Sequence, residues 1–173
     1  MPTLTLERLR ADHAAALLAF ERANRAYFAR SVPDRGDAYF TEFAAWHRAR
    51  LEEQEAGVCH FHVVLDEGGE LVGRVNLVDV EAGSAELGYR FAEHATGRGT
   101  ATAAVAEVCR LAGTEYGLTE LTARTTLDNA ASMAVLARND FTPVGDITLM
   151  DRPGVRYRRA LRAEPEVGPG PGC

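Results

Sequence analysis

Two glycines stand one residue apart in the stretch "HATGRGTA", residues 94–101. After them, small and apolar residues recur at the spacing of one helix face, at Ala101, Ala104, Val105, Val108 and Ala112. Glycine lets the backbone approach an anion without a Cβ in the way. The first N–H groups of a helix lack partners and lie at the positive end of its dipole. The segment therefore predicts either a backbone site for a phosphate group or a turn that is merely tight.

Two common phosphate-binding motifs do not fit this segment. The dinucleotide fingerprint requires a third glycine where Thr102 stands, and the P-loop requires a Gly-Lys-Ser/Thr sequence that is missing. A dinucleotide-dependent oxidoreductase is therefore a weak alternative. A second segment, residues 125–141, places Asn129 and Ser132 three residues apart at a predicted helix start. In the purely structural interpretation, Asp128 or Asn129 caps that helix.

Length and composition indicate one domain with a substantial core, since the chain has 173 residues. The net charge of −6 argues against a nucleic-acid partner. No apolar stretch approaches the roughly 20 residues that span a bilayer, so we expect no membrane partner, and the first residues show no secretory signal. The cysteines are odd in number and widely spaced, which favours a reducing cytoplasm: Cys59, Cys109 and Cys173.

Two further features have simple interpretations. His60 and His62 fall on one face of a predicted strand, but no third ligand accompanies them, so we expect no metal site. Residues 163–173 are rich in proline and glycine, with little to bury, and predict a disordered tail.

Hydrophobic periodicity predicts a mixed order of helices and strands. Strands are predicted at residues 3–9, 59–66, 70–80, 84–91 and 118–127. Helices are predicted at residues 12–30, 38–56 and 129–140. A further helix is predicted directly after the glycine pair. A closing hairpin is predicted to turn at "DRPG", residues 151–154. This order indicates an α/β (α+β) fold with a largely antiparallel start.

The two motifs and their order resemble one known family. A strand, the pattern Q/R-x-x-G-x-G/A, a helix, a strand and then N-x-x-S at a helix start are similar to the GNAT superfamily of N-acetyltransferases. The strand "AELGYRF" and the long two-helix segment before it resemble the RimJ/RimL-like branch, which acetylates ribosomal-protein N-termini. The resemblance covers about residues 3–162. His94 departs from the usual Gln or Arg, and Asp140 replaces the usual glycine, so Asn139 or Asp140 is expected to adopt the left-handed conformation.

The resemblance implies a fold and a coenzyme. The fold is a single domain over residues 1–162, with a mixed, mostly antiparallel twisted sheet flanked by helices. This sheet splays between its fourth and fifth strands, and acetyl-coenzyme A lies in the opening. The pantetheine arm pairs with the fourth strand, and the pyrophosphate meets the backbone after the glycines. The coenzyme contacts implied in this way are Phe91, Ala92, His94, Gly97, Arg98, Gly99, Thr100, Ala101, Asn129, Ser132 and Arg138.

The resemblance also implies a reaction, in which an amine attacks the thioester directly. Glu86 is the candidate base and Ser132 the candidate acid for the departing thiolate. The acceptor is a peptide N-terminus or a small-molecule amine, and its candidate contacts are Asn24, Arg25, Tyr27 and Phe28. Members of the family are often dimers, so a homodimer is possible. The alternative function is a non-catalytic acyl-coenzyme A-binding module, in which Glu86 and Ser132 have no chemical role.

Overall fold

The computed structural model describes residues 3–161, and seven strands form one sheet in the order β1-β2-β3-β4-β5-β7-β6. The strands are β1 (Thr5–Arg8), β2 (His60–Leu65), β3 (Leu71–Glu81), β4 (Ser84–Phe91), β5 (Glu120–Thr126), β6 (Thr142–Leu149) and β7 (Arg152–Ala160). All neighbouring pairs are antiparallel except β4 and β5, which are parallel. The predicted mixed, mostly antiparallel sheet is therefore confirmed.

Within residues 3–161, six α-helices flank the sheet, and two of the predicted helices are each broken in two. The helices are α1 (Ala14–Ala23), α2 (Arg25–Phe28), α3 (Asp37–Thr41), α4 (Phe43–Glu55), α5 (Thr100–Thr114) and α6 (Ala130–Arg138). The single helix predicted at 12–30 breaks at Asn24, whose side-chain amide donates to Phe20 O, 3.0 Å away. The single helix predicted at 38–56 breaks after Thr41, whose hydroxyl donates to Ala38 O at 3.2 Å. Each side chain shares its carbonyl with a backbone N–H, a local bond typical of Asn and Thr near helix ends.

The closing hairpin turns earlier than the sequence predicts. β6 ends at Leu149, and Met150 and Asp151 both have positive φ, at 54° and 58°. Two consecutive left-handed residues match the twist of the flanking strands, as in a type I′ hairpin. The prediction that "DRPG" forms the turn was wrong, because Pro153 and Gly154 lie inside β7.

The two faces of the sheet pack on different helices. Arg74 and Arg90 are cross-strand partners on β3 and β4, and both contact Glu21 of α1. Their face therefore packs on α1. Tyr89 alternates with Arg90 and points to the opposite face, where its hydroxyl bonds Ser132 of α6. α5 lies on this second face and contributes the buried side chains Ala104, Val105, Val108, Cys109 and Ala112 to the core.

Two findings bear on the chain ends and on membranes. No helix among the described residues is long and apolar enough to cross a bilayer. The predicted tail at 163–173 lies outside the described residues.

A glycine on β3 brings the backbone close to an aromatic ring of the adjacent strand. Gly73 and Phe91 are cross-strand partners, and a Cβ on Gly73 would overlap the ring of Phe91 and lie 3.1 Å from Arg90 O. Gly88, on β4, has no atom within 4 Å of its ideal Cβ position. Neither glycine has a positive φ, so the two sites differ in space rather than in backbone strain.

We therefore predict that Gly73→Ala destabilises the fold by about 1–3 kcal/mol through overpacking. Gly88→Ala is the matched control and should change the free energy of unfolding by less than about 0.5 kcal/mol. Urea unfolding followed by circular dichroism measures both variants. Equal stability of the two variants would show that Phe91 does not pack as tightly as described.

Candidate active site

The glycine pair forms a left-handed entry to a helix. Gly97 and Gly99 have φ of 75° and 77°, and Gly99 is the N-cap of α5. No atom lies within 4 Å of the ideal Cβ position of either glycine, so space is open above them. The first backbone bond of the helix runs from Ala103 N to Gly99 O, at 3.0 Å. The N–H groups of the preceding turn are therefore left for a ligand at the positive end of the helix.

Neighbouring side chains hold this turn in place. The Asn139 amide donates to Thr102 O at 3.2 Å and to Val135 O at 3.0 Å, which ties the end of α6 to the first turn of α5. Asn139 is buried and has an ordinary negative φ, whereas Asp140 has φ of 63°. Of the two residues predicted as candidates for the left-handed conformation, Asp140 adopts it. Asn139 instead forms side-chain hydrogen bonds that the sequence did not predict.

The sheet opens beside this turn. β4 and β5 are paired only from Ser84 to Glu86, opposite residues 120–122, and no β5 partner is found for the rest of β4 in the described chain. A cleft of about 510 Å³ lies along this free edge. It runs from the glycine turn past α6 to the residues Tyr27 and Phe28. An unpaired strand edge offers N–H and C=O groups to a ligand that lies parallel to it.

The N-x-x-S motif lies on the opposite wall. Asn129 Oδ1 accepts a hydrogen bond from Ser132 N at 3.1 Å and so caps α6. Both residues also line the cleft. The capping interpretation is thus correct for the Asn129 oxygen, while the Asn129 amide nitrogen stays available as a donor to a ligand.

The structure adds a residue that the sequence reasoning missed. The Tyr89 hydroxyl and Ser132 Oγ lie 2.8 Å apart and are hydrogen-bonded, and Tyr89 also lines the cleft. Burial raises the pKa of Tyr89, and the Ser132 hydrogen bond opposes that rise. Tyr89 therefore stays protonated near neutral pH. The period-2 alternation with Leu87 and Phe91 places it on the face opposite Arg90, and this signal was available in the sequence.

Glu86 lies where the two strands separate. Its Oε1 accepts a hydrogen bond from Arg124 Nε at 2.5 Å, and its side chain is 24% exposed. By the register of β3 and β4, Glu86 shares a face with Gly88 and Arg90, the face that packs on α1. Glu86 is not among the residues that line the cleft, so it stays a prediction as the base.

The other predicted residues divide into two groups. Those that line the cleft are Tyr27, Phe28, Phe91, Gly97, Gly99, Thr100, Ala101, Asn129, Ser132 and Arg138. Those that the cleft lining does not include are Asn24, Arg25, Ala92, His94 and Arg98.

The second group has other surroundings. Asn24 is buried, and its Oδ1 accepts from Glu93 N at 3.1 Å, which fixes the approach to the glycine turn. Arg25 binds Asp34 at 2.7 Å and Asp37 at 2.8 Å. Ala92 is fully buried, and His94 Nε2 lies 3.9 Å from a carboxylate oxygen of Glu70. Arg98 is exposed.

The electrostatics of the cleft favour anions. Within residues 3–161, no carboxylate lines the cleft, whereas Arg90 and Arg138 do. The positive end of α5 adds to this field. The cleft is therefore suited to a negatively charged ligand.

The paired histidines have structural partners. His60 stacks on Tyr116 with ring centroids 3.8 Å apart. His62 is buried between Val75 O at 3.0 Å and the Tyr116 hydroxyl at 2.6 Å, and burial lowers its pKa to about 4. Across the described residues, no group of three or more His, Cys, Asp or Glu side chains is placed to hold a metal ion.

An open glycine turn at a helix start, set beside a sheet that opens between two parallel strands, defines a class of protein suited to a phosphate-bearing ligand with an extended arm. The family model "Acetyltransferase (GNAT) domain" matches residues 3–142. The chain therefore belongs to the GNAT acetyltransferase family, and the predicted family and enzyme class are confirmed. No curated protein sequence matches the chain.

Solved structures share this fold at low sequence identity. The ribosomal-protein-S5-alanine acetyltransferase from Vibrio fischeri has a TM-score of 0.87 at 17% identity, covering 93% of this chain and 94% of that one. Mycobacterium smegmatis RimJ in complex with CoA-disulfide has a TM-score of 0.82 at 24% identity, covering 91% and 81%. Spermidine N-acetyltransferase from Vibrio cholerae in complex with CoA and spermine has a TM-score of 0.76 at 17% identity, covering 91% and 95%.

The glycine turn yields a direct prediction. Gly99→Asp should weaken the binding of coenzyme A at least a hundredfold from the micromolar range, because the new side chain adds bulk and negative charge where a phosphate would lie. Gly117→Asp is the matched control. Gly117 has a positive φ of 63°, no atom within 4 Å of its ideal Cβ position, and lies beyond the other end of α5. Isothermal calorimetry measures both variants, and unchanged affinity in folded Gly99→Asp would contradict a phosphate site at this turn.

Proposed function

We propose that the protein transfers an acetyl group from acetyl-coenzyme A to a primary amine, which belongs to a peptide N-terminus or a small molecule. The observation that carries this proposal is one continuous cleft along the free edge of β4. It joins the glycine turn at Gly99 to the hydroxyl pair of Tyr89 and Ser132 and reaches the wall at Phe28. The cleft thus has a place for the phosphates, for an extended arm and for an acceptor.

Each part of the coenzyme has a partner in this proposal. The pyrophosphate accepts hydrogen bonds from the backbone N–H groups of Thr100 and Ala101. Arg138, on the last turn of α6, meets an outer phosphate. The pantetheine amides pair with the free edge of β4 near Phe91, and the Asn129 amide nitrogen donates to the same arm.

The acceptor must lose a proton before it attacks. An α-amine has a pKa near 8, so the neutral form costs about 1.4 kcal/mol at pH 7, whereas a lysine side chain with a pKa near 10.4 costs about 4.6 kcal/mol. Within the described chain, no carboxylate or histidine lines the cleft, so the site offers no strong base there. This favours an α-amine over a lysine side chain.

Three chemical roles complete the mechanism. Glu86, at the point where the strands part, lies outside the cleft lining and accepts the amine proton through water. A free N–H of β4 stabilises the oxyanion of the tetrahedral intermediate. Ser132 delivers a proton to the departing thiolate, and its bond to Tyr89 holds the hydroxyl in place. A thiolate leaves easily, since its pKa is about 8.5, so this acid contributes less than the base.

We also propose a reducing, cytoplasmic setting for the enzyme. Cys59 and Cys109 are free and buried, and burial raises the pKa of both thiols, so they act as core residues rather than as nucleophiles. The predicted homodimer stays a prediction.

The test of the base is a pH–rate profile on one confirmed acceptor, read as thiol release. Glu86→Gln should lower kcat by roughly 10²–10⁴-fold at pH 7 with little change in coenzyme affinity. With an α-amine acceptor the rate should recover by about pH 9, where solvent already supplies the neutral amine. Ser132→Ala should cost less.

Glu120→Gln is the matched control. Glu120 lies on the adjacent strand β5 and forms a similar ion pair, with Arg158 of β7 at 3.0 Å. Identical profiles for Glu86→Gln and Glu120→Gln would remove Glu86 from the chemistry and leave water as the proton carrier. Coenzyme binding without turnover of any amine would instead favour the non-catalytic binding module.

A further inference from the structure

A buried carboxylate on α1 is surrounded by three arginines. Glu21 has a side chain that is only 1% exposed. Arg74 lies 2.9 Å from it, Arg90 3.4 Å and Arg35 3.7 Å. Three guanidinium groups against one carboxylate leave this cluster with a net charge of +2.

Among the described residues, Glu21 is the carboxylate within ion-pair distance of these arginines. Asp34 and Glu42 lie nearby, but Asp34 pairs with Arg25. Burial lowers the pKa of Arg90, and the charges of Arg35 and Arg74 lower it further, while Glu21 acts in the opposite direction. Tyr39 also faces Arg90. Buried charges are costly unless they are paired, so an added anion would stabilise this cluster.

Arg90 belongs both to this cluster and to the lining of the cleft. Its side chain is 22% exposed, its guanidinium lies 4.9 Å from the centre of the Phe28 ring, and both residues line the cleft. Arg90 points to the face of β4 opposite Tyr89, on the side where α2 contributes Tyr27 and Phe28. In the proposed function the coenzyme phosphates lie at the glycine turn and Arg138, so the coenzyme does not use Arg90.

The same face of the sheet carries more arginines toward the opening. By strand register, Arg124 of β5 and both Arg156 and Arg158 of β7 share the face of Glu86. Arg124 pairs with Glu86 and Arg158 pairs with Glu120. Arg156 is exposed and forms no ion pair within residues 3–161. This local excess contrasts with the net charge of −6 for the whole chain, and such a field attracts anionic partners and repels cationic ones.

We propose that the acceptor is an amine that also carries a carboxylate, and that Arg90 binds this carboxylate while the amine faces the thioester. This inference rests on the proposed acetyl transfer and narrows its acceptor. A polyamine is excluded as the preferred acceptor, because its several positive charges would meet the arginine cluster. Spermine is present in the similar structure from Vibrio cholerae, so the two enzymes would differ in acceptor charge despite their shared fold.

The experiment compares acceptors of different charge. Three tetrapeptides with a free N-terminus and an amidated C-terminus carry Glu, Gln or Lys as the second residue. Glycine and glycinamide form a second pair, which separates the α-carboxylate of a free amino acid from an acidic side chain of a peptide. Because the amine of glycinamide has the lower pKa, the rates of this pair are compared per concentration of neutral amine. Spermidine is the polycation. We expect kcat/KM to be at least tenfold higher for the carboxylate-bearing member of at least one pair, and lowest for spermidine.

Variants test whether Arg90 is responsible. Arg90→Gln should reduce the carboxylate preference to less than threefold, and Arg90→Lys should keep part of it. Arg48→Gln removes an exposed arginine from α4 and is the matched control, which should leave the preference unchanged. Unchanged coenzyme affinity in each variant shows that the fold is intact. A preference for Lys or spermidine, or a carboxylate preference that persists in folded Arg90→Gln, would overturn the proposal.

A binding measurement separates this inference from the proposed reaction. Calorimetry of the carboxylate-bearing and amide acceptors, in the presence of coenzyme A, detects recognition without turnover. Arg90-dependent binding without any turnover would support the inference and contradict the reaction. The protein also has a second cavity of about 350 Å³, which Arg35, Arg50 and Arg74 line together with Trp46. Binding that Arg50→Gln abolishes and Arg90→Gln does not would place the anion in that cavity and overturn the proposal.

Discussion

The separation of β4 from β5 is the constraint on which the rest of the site depends. The two strands are hydrogen-bonded only from Ser84 to Glu86, and β5 then continues with β7 up to Thr126. The divergence leaves the edge of β4 without a strand partner, which is unusual in the middle of a sheet because backbone N–H and C=O groups are normally paired. A ligand that pairs with this edge therefore completes the sheet. In our account the glycine turn holds the phosphate end of that ligand, and the α2 wall holds the acceptor.

Charge is distributed to match this geometry. The chain is acidic overall, yet the cleft is lined by Arg90, Arg138 and the positive end of α5, and by no carboxylate within the described residues. The two arginines have separate tasks in our account. Arg138 serves the phosphates, and Arg90, held by the buried Glu21, serves the acceptor. In our account the backbone of β4 and of the glycine turn binds the coenzyme, and the arginine charges discriminate between acceptors.

Short sequence patterns predicted much of the fold and of the glycine turn. Contacts between residues far apart in the sequence could not be predicted. The turn at Gly97 and Gly99 could be predicted because a left-handed turn before a helix has a short, glycine-containing sequence pattern. The breaks at Asn24 and Thr41 were missed because a break of one or two residues leaves the helical periodicity of the whole segment almost unchanged. The bonds between Tyr89 and Ser132 and between Glu86 and Arg124 join residues 43 and 38 positions apart. No local pattern encodes such contacts, since they arise only when the strands have paired.

The most direct test of the central claim is the change of backbone amide chemical shifts when coenzyme A is titrated into the isotopically labelled protein. Binding along the open edge predicts the largest shifts in three places: residues 97–102, residues 87–91 and Asn129. Trp46 and His47, which line the second cavity, should shift little. Shifts centred on that cavity, or amides at residues 87–91 that stay unchanged at saturation, would contradict the claim that the gap between β4 and β5 receives the coenzyme.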